Sequence, residues 1–477
     1  MVFASGLLIS IILARGLGPK NLGLYATLIT IAAVTRLFSD LGLEKILNIK
    51  LPAFAVKEGG KRKIRFLVQR IVLVRGITIG VLAFFLWLLY PAIIQLLKRP
   101  ELEGFHTPVV LYFSISVFIS LFYMLHQSLL KIKTVSLVDG GEKLTTLMLL
   151  TIFFALGFKV RGALFAYIIS GGMAALILFF LGRDLIWGES EKEDTRDLTK
   201  IGLTAVIYGF VSMGLGSQVD ILLMNWFMIP TEDIGFYHLG FNLAVMLGLF
   251  SQGIGSISQS VFSEAFTRGG NSGLGVAWQM VTKVFMLMAI PFYIFALWYA
   301  PSICKVFYGE EYLNASGILR IFIISTTIRI IVGSSFCMSA FFLIHQKRRG
   351  VSIQIAGGVV NVVLDLILIP FYGVWGAVIA TSCSLVLTGL GQTLTLAYKI
   401  GMFPPLVFAG KILFACVCGL LPTLFFTVSS ISMCALAGIL YGLVFLITMS
   451  VLRPLGEAEK EMVRVVNPQL AVVVKYF

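Results

Sequence analysis

The chain has 477 residues, of which 58% are hydrophobic and only 13% charged, and its mean hydropathy is +0.97. A soluble domain carries about 45–50% apolar and about 25% charged residues, and soluble cores stop growing near ~250–300 residues, so a soluble enzyme, a nucleic-acid-binding domain and a disordered chain are set aside. The formal charge of +14 reads first as topology, because basic residues collect in the cytoplasmic loops of membrane proteins.

The N-terminal stretch up to Gly18 has neither a basic leader nor a small-residue cleavage site, so it reads as an uncleaved first span over 1–16. It holds about fourteen apolar positions before Arg15, short of the ~20 that cross a bilayer, and the helix is expected to lack its beginning. Apolar runs then predict spans over 21–42, 66–97, 107–131, 136–157 and 161–182. After the polar connection 183–201 come 202–228, 234–265, 275–300, 314–343, 350–370, 374–398, 406–428 and 431–452. The expectation is an all-α polytopic membrane protein of about fourteen transmembrane helices. The longest polar connections, 44–65 and 183–201, are too short for an appended catalytic module.

With the N-terminus in the cytoplasm, inner segments hold 22 Lys and Arg and outer segments 6, which selects both termini inside the cytoplasmic membrane. The cluster Lys61, Arg62, Lys63 and Arg65 belongs to this bias and also suits anionic headgroups. Six cysteines fall in or beside apolar runs without a Cys-x-x-Cys pair, which points to small buried hydrophobes rather than zinc or disulfides.

The chain also repeats itself at a shift of about 212–214 residues. Gly23-Leu24-Tyr25 opens the second span and Gly235-Phe236-Tyr237 the eighth, each a few residues after a proline. Val160-Arg161-Gly162-Ala163 with Ala166 opens the sixth; Val374-Trp375-Gly376-Ala377 with Ala380 opens the twelfth. The predicted organisation is an N-terminal lobe over 1–200 (spans 1–6), a C-terminal lobe over 201–400 (spans 7–12), and spans 13–14 with a cytoplasmic tail over 401–477. An even number of helices per lobe makes the repeats parallel, and such folds place substrate at the repeat interface near mid-bilayer.

In these stretches the chain resembles the polysaccharide-export branch of the MOP (multidrug/oligosaccharidyl-lipid/polysaccharide) superfamily, which contains the Wzx-like O-antigen flippases. The resemblance lies in the first turn from Leu13 to Tyr25, in the Gly235-Phe236-Tyr237 counterpart, and in Phe307-Tyr-Gly-Glu-Glu-Tyr312 followed by Ala315 and Leu319-Arg320. It implies a MATE-like, two-lobed flippase that moves a polyprenyl-pyrophosphate-linked oligosaccharide across the cytoplasmic membrane by alternating access. Spans 13–14 would flank the lipid tail, and polysaccharide polymerase machinery would be a partner. The chain departs from the pattern at its start, where relatives carry more residues. Lipid II flippases and MATE-like cation or drug antiporters are the neighbouring alternatives.

Charges inside spans are expected to decide among these, since each costs about +2.5–3.5 kcal/mol at the bilayer centre on insertion scales. Arg329, placed mid-span with Ser325 and Thr326 on its face and no acid within a turn, reads as a phosphate ligand facing a cavity, against an ion pair with another helix. Arg36 and Asp40 stand i, i+4 and pair locally or bind substrate. Arg70 and Arg75 are about 140° apart around their helix, so only one faces a given cavity. Arg15, Arg75 and Lys283 complete the cationic set, with cap or snorkelling roles as alternatives. Arg320 and Lys143 read as interfacial, and Lys411 as snorkelling.

Asp220, the deepest acid of the seventh span, reads as a site for a coupling H+ or Na+ or as a counter-charge for an arginine. Gln252 and Gln259 share a helix face suited to sugar hydroxyls or to helix–helix bonding. No cofactor and no metal site is expected. The chain has no Gly-x-x-x-x-Gly-Lys-Ser/Thr, His-Glu-x-x-His or Gly-x-Ser-x-Gly motif. The enzyme alternative, a membrane glycan ligase or transferase, would need a large outward loop or soluble acceptor domain.

Overall fold

In a computed structural model, residues 2–40, 42–55, 60–191, 216–248, 252–425 and 428–452 are described, and they form helices joined by turns with no strand among them. A chain this apolar must satisfy its backbone hydrogen bonds internally, and the helix does so within one segment. The chain divides into two compact units, Met1–Gly235 and Phe236–Phe477.

The first unit begins with α1 (Val2–Asp40), which is broken at Gly18 (φ 70°, ψ 166°). Glycine takes this left-handed backbone without a Cβ clash, and Pro19, with its fixed φ, restarts the helix. Then follow α2 (Leu43–Ala55), α3 (Gly60–Leu97), α4 (His106–Ser128), α5 (Ile132–Ala155), α6 (Lys159–Leu181) and α7, described over Ser217–Trp226. Residues 43–55 were expected inside a polar connection and instead form an amphipathic helix. Leu43, Ile46, Leu47, Leu51 and Phe54 recur at helical spacing and share one core with Ile64 and Ile71 of α3 and with Leu121 and Leu125 of α4.

The second unit takes in most of α8 (Thr231–Gly248) and then α9 (Gln252–Trp298), itself broken at Gly270 (φ 56°, ψ −141°). Next come α10 (Ala315–Ile331) and α11 (Cys337–Leu343), bent by 72° across a break holding Gly333 (φ 74°). The rest is α12 (Lys347–Tyr372), α13 (Val374–Ile400), α14 (Leu406–Leu420) and α15 (Ile431–Leu452). Before α10, the Phe307–Tyr312 motif turns at Gly309 (φ 109°) and buries Tyr308 and Tyr312. There the Lys305 ammonium, 2.6 Å from Glu310, holds that carboxyl below the usual carboxylate range.

The repeated motifs do the same work in each unit. Val160, Gly162, Ala163 and Ala166 are buried at the start of α6, where a Cβ on Gly162 would stand 2.8 Å from Phe153 Cβ at the end of α5. Val374, Gly376, Ala377 and Ala380 are buried at the start of α13, where a Cβ on Gly376 would reach the Leu368 backbone at 2.5 Å. Both glycines let a helix start against the end of the one before it. The two Gly-x-Tyr copies meet backbone to backbone: a Cβ on Gly23 would lie 1.8 Å from Thr231 O, and one on Gly235 would lie 2.1 Å from Pro19 O.

Every expected span overlaps a described helix. By length and apolarity, however, nine helices among the described residues suffice to cross a bilayer, ten if the bent pair α10–α11 counts as one span. Three causes separate these numbers from fourteen. Helices α1 and α9 each run as one element through a broken glycine. Any eighteen-residue window of α5 contains Asp139, Glu142 and Lys143. Most of the seventh span lies outside the described residues.

Candidate functional site

In the first unit, a polar pocket of about 370 Å³ opens between α1, α2, α4, α5 and α6. Glu44, in the first turn of α2, organises one end. Its Oε1 accepts hydrogen bonds from Arg75 Nη2 and Ser120 Oγ, each at 3.0 Å, and pairs with Arg36 Nη2 at 3.8 Å. Arg75 is buried to 1% exposure and also donates through Nη1 to Ser39 O at 2.6 Å. At the other end Tyr123 Oη donates to Glu142 Oε2 at 2.7 Å. Tyr112 and Tyr167, both lining the pocket, meet edge to face at 6.3 Å between centroids, and Tyr25 stacks on Tyr167 at 6.3 Å. The pocket therefore offers aromatic faces, two carboxylates and one partly exposed guanidinium.

In the second unit, Arg329 occupies the last turn of α10, four residues before Gly333 in the break, rather than the middle of a continuous span. A cation there faces the negative end of the helix dipole, which lowers the cost of burying it. The guanidinium is half-buried, and its Nε is enclosed with no hydrogen-bond partner among the described residues. No described carboxylate lies within ion-pair distance of Arg329. The carbonyls freed by the break are capped: Thr393 Oγ1 donates to Val332 O at 3.0 Å, Trp278 Nε1 to Gly333 O at 3.2 Å, and Ser334 Oγ to Arg329 O at 3.0 Å. A discontinuous membrane helix with a polar break is a recurrent way to present a binding group at mid-depth.

A second polar chain in this unit is wholly buried. Ser384 Oγ donates to Asn361 Oδ1 at 2.8 Å, Asn361 Nδ2 to Asp365 Oδ2 at 3.2 Å, and Tyr237 Oη lies 3.5 Å from Thr381 Oγ1. Asp220 of α7, in the first unit, is likewise fully buried. Among the described residues, no group of three His, Cys, Asp or Glu side chains is placed to hold a metal.

Of the other residues singled out from the sequence, Arg15 is exposed on the first arm of α1 and Arg70 is exposed on α3, opposite in burial to Arg75 as the 140° separation requires. Arg36 lies 3.8 Å from Glu44, and the expected pairing with Asp40 falls on a side chain outside the described residues. Gln259 is exposed beside Ser263 and Arg268 on α9, while the side chain of Gln252 lies outside the described residues. Lys283 lines a pocket with Lys411. It precedes Tyr293, which faces Arg329, by ten residues or about 15 Å along α9.

Lys143 pairs with Asp139 at 2.8 Å, and Arg320 donates to the last carbonyls of α9, Leu297 O at 3.2 Å and Trp298 O at 3.4 Å. Four of the six free cysteines are buried, Cys418 is half-buried and Cys383 exposed. Sequence reasoning missed Glu44 as an organising residue because the surrounding lysines marked the segment as a loop. It also missed Tyr112 and Tyr123, whose spacing of eleven residues, about three turns, puts them on one face.

A family model described as polysaccharide biosynthesis protein matches residues 12–317, more than half of the chain. No curated protein sequence matches it. Among solved structures, the chain is similar to the lipid II flippase MurJ in an inward closed conformation, with TM-score 0.74, 16% identity, and coverage of 94% of this chain and 96% of that one. It is also similar to an inward-facing MATE multidrug resistance transporter of the MOP superfamily (TM-score 0.65, 16% identity, 84% and 95% covered). A third is a MOP transporter from Pyrococcus furiosus with a binding pocket of reverse polarity (TM-score 0.55, 15% identity, 83% and 92% covered). At these identities the likenesses speak for the fold alone. With the family model spanning both copies of the Gly-x-Tyr motif, the chain belongs to the polysaccharide biosynthesis protein family.

Proposed function

We propose that the protein is a flippase, not an enzyme, that carries a polyprenyl-pyrophosphate-linked oligosaccharide, an O-antigen or exopolysaccharide unit, across the cytoplasmic membrane by alternating access. Arg329 carries this reading: a guanidinium at a helix break, with an enclosed Nε and no described carboxylate to neutralise it. Such a group suits a pyrophosphate, to which it donates two parallel hydrogen bonds. Arg36, partly exposed beside Glu44 in the pocket of the first unit, is a candidate anion ligand in its own right. Asp220 is the proposed group for a coupling H+ or Na+, since a buried carboxylate is stabilised by either.

The test is export of the lipid-linked glycan in membranes where expression is held constant. Arg329→Ala lowers export by roughly 10–100-fold, the worth of a lost charge-assisted hydrogen-bond pair. Arg329→Lys restores only part of it, because an ammonium lacks the planar fork. Export unchanged in Arg329→Ala refutes the assignment. A cation antiporter is the second reading, and Glu44, Glu142 and the tyrosines lining one pocket are what favour it. Efflux of a cationic dye that Glu142→Gln abolishes, with glycan export unchanged when the protein is deleted, would establish it instead.

A further inference from the structure

At the break between α10 and α11, two enclosed N–H donors on different helices have no acceptor among the described residues: Arg329 Nε on α10 and Gln392 Nε2 on α13. Gln392 is only 5% exposed. Gly389 brings the two helices together here, since a Cβ on it would stand 3.3 Å from Arg329 Cγ and 3.0 Å from Ser334 Oγ. Thr393, four residues on, donates to Val332 O at 3.0 Å, so the stretch 389–393 of α13 runs across the break. Arg329 shares its face of α10 with the buried Phe322 and Ser325, and Gln392 shares its face of α13 with the buried Thr381 and Thr388. Both side chains thus leave their helices toward the interior of the second unit. The Cα–Cβ bond of Gln392 also leans back toward Gly389, as helical side chains lean toward the N-terminus.

A buried donor without an acceptor is costly, and a buried charge without a counter-charge more so. Water satisfies an amide but leaves a guanidinium unbalanced, and no described carboxylate neutralises Arg329. An anionic oxygen meets both needs at once. We infer that Gln392 is a second donor to the anion that Arg329 takes, and that the pair selects a diphosphate over a monophosphate. Gln392 starts about 4.5 Å along the α13 axis from the Gly389–Arg329 contact, a spread that the oxygens of two linked phosphates fill better than those of one. The inference rests on the assignment of Arg329 to the lipid pyrophosphate and extends it from charge to shape. A lone guanidinium takes any anion, whereas a guanidinium and an amide fixed on separate helices favour the anion that reaches both.

Binding of a sugar-free polyprenyl pyrophosphate to the full chain in phosphatidylcholine nanodiscs tests this, beside the polyprenyl monophosphate and the polyprenol of the same length. Gln392→Met keeps the length of the side chain and removes the N–H. It should weaken pyrophosphate binding roughly tenfold, the low end of what a hydrogen bond to a charged group is worth. Monophosphate binding should fall far less and polyprenol binding not at all. Gln392→Glu should cost more than Gln392→Met, because a carboxylate there claims the guanidinium, and it decides the matter alone if the Met variant does not fold. The double variant Arg329→Ala/Gln392→Met should lose less than the product of the two single losses, as for two groups that hold one ligand. An equal loss for pyrophosphate and monophosphate, or for all three lipids, overturns the inference. So does pyrophosphate binding unchanged in both Gln392 variants while Arg329→Ala weakens it, a result that leaves the Arg329 reading standing. Binding unchanged in Arg329→Ala as well removes that reading and this one together.

Discussion

Glu44 holds two arginines and a serine with one oxygen, and Arg75 is almost wholly enclosed. A buried ion pair is weak evidence for stability as a pair, but removing one partner strands the other, at about 3–5 kcal/mol. Glu44→Ala is therefore expected to destabilise the protein by about 3 kcal/mol, discounted from the upper end because Glu44 is itself 25% exposed. The double variant Glu44→Ala/Arg75→Met should recover part of that loss. Thermal unfolding of the purified full chain reads both. At this scale the sequence was only half legible. Arginine and acid types were visible, yet which acid met which arginine depended on a helix at 43–55 whose lysines disguised it as a loop. Arg36 was legibly in need of a carboxylate; that Glu44, eight residues on, supplies it rests on α2 folding back.

Elements were the most legible level, because a period of 3.6 and a shortage of polar residues both survive in one chain. The repeated Gly-Ala starts of α6 and α13, read as weak matches singly, bury the same positions in both units. Breaks were harder to see. Gly18, Gly270 and Gly333 take left-handed backbone, but nothing in a run of glycines says which one will. The contact between Gly23 and the Thr231–Gly235 turn has a direct consequence for substitution. A methyl group at Gly23 would lie 1.8 Å from a backbone oxygen, and a backbone cannot swing aside as a flexible side chain can. Gly23→Ala is expected to cost about 3 kcal/mol, the upper end of overpacking, whereas Gly76→Ala, with open space around it, should cost little or stabilise the helix. Yield and thermal midpoint of the two variants, compared side by side, check the contrast.

For the whole molecule, the charge bias of 22 inner against 6 outer basic residues makes a prediction about sidedness. In a cysteine-free background, a cysteine at Glu103 should react with an impermeant maleimide added outside intact cells. One at Glu189 should react only after the membrane is opened. The reverse pattern would invert every span. Multi-pass architecture and family were readable from composition and a handful of motifs, whereas the number of self-sufficient spans was not. The reason is α5. Its Asp139 is paired with Lys143 and its Glu142 accepts a hydrogen bond from the Tyr123 hydroxyl of α4, so what keeps those charges tolerable comes partly from a neighbour. During synthesis, then, α5 is a segment that the insertion machinery has little reason to release into lipid alone. It would have to linger at the translocon until α6 has emerged beside α4 to cover it, so assembly of the first unit is ordered by electrostatics.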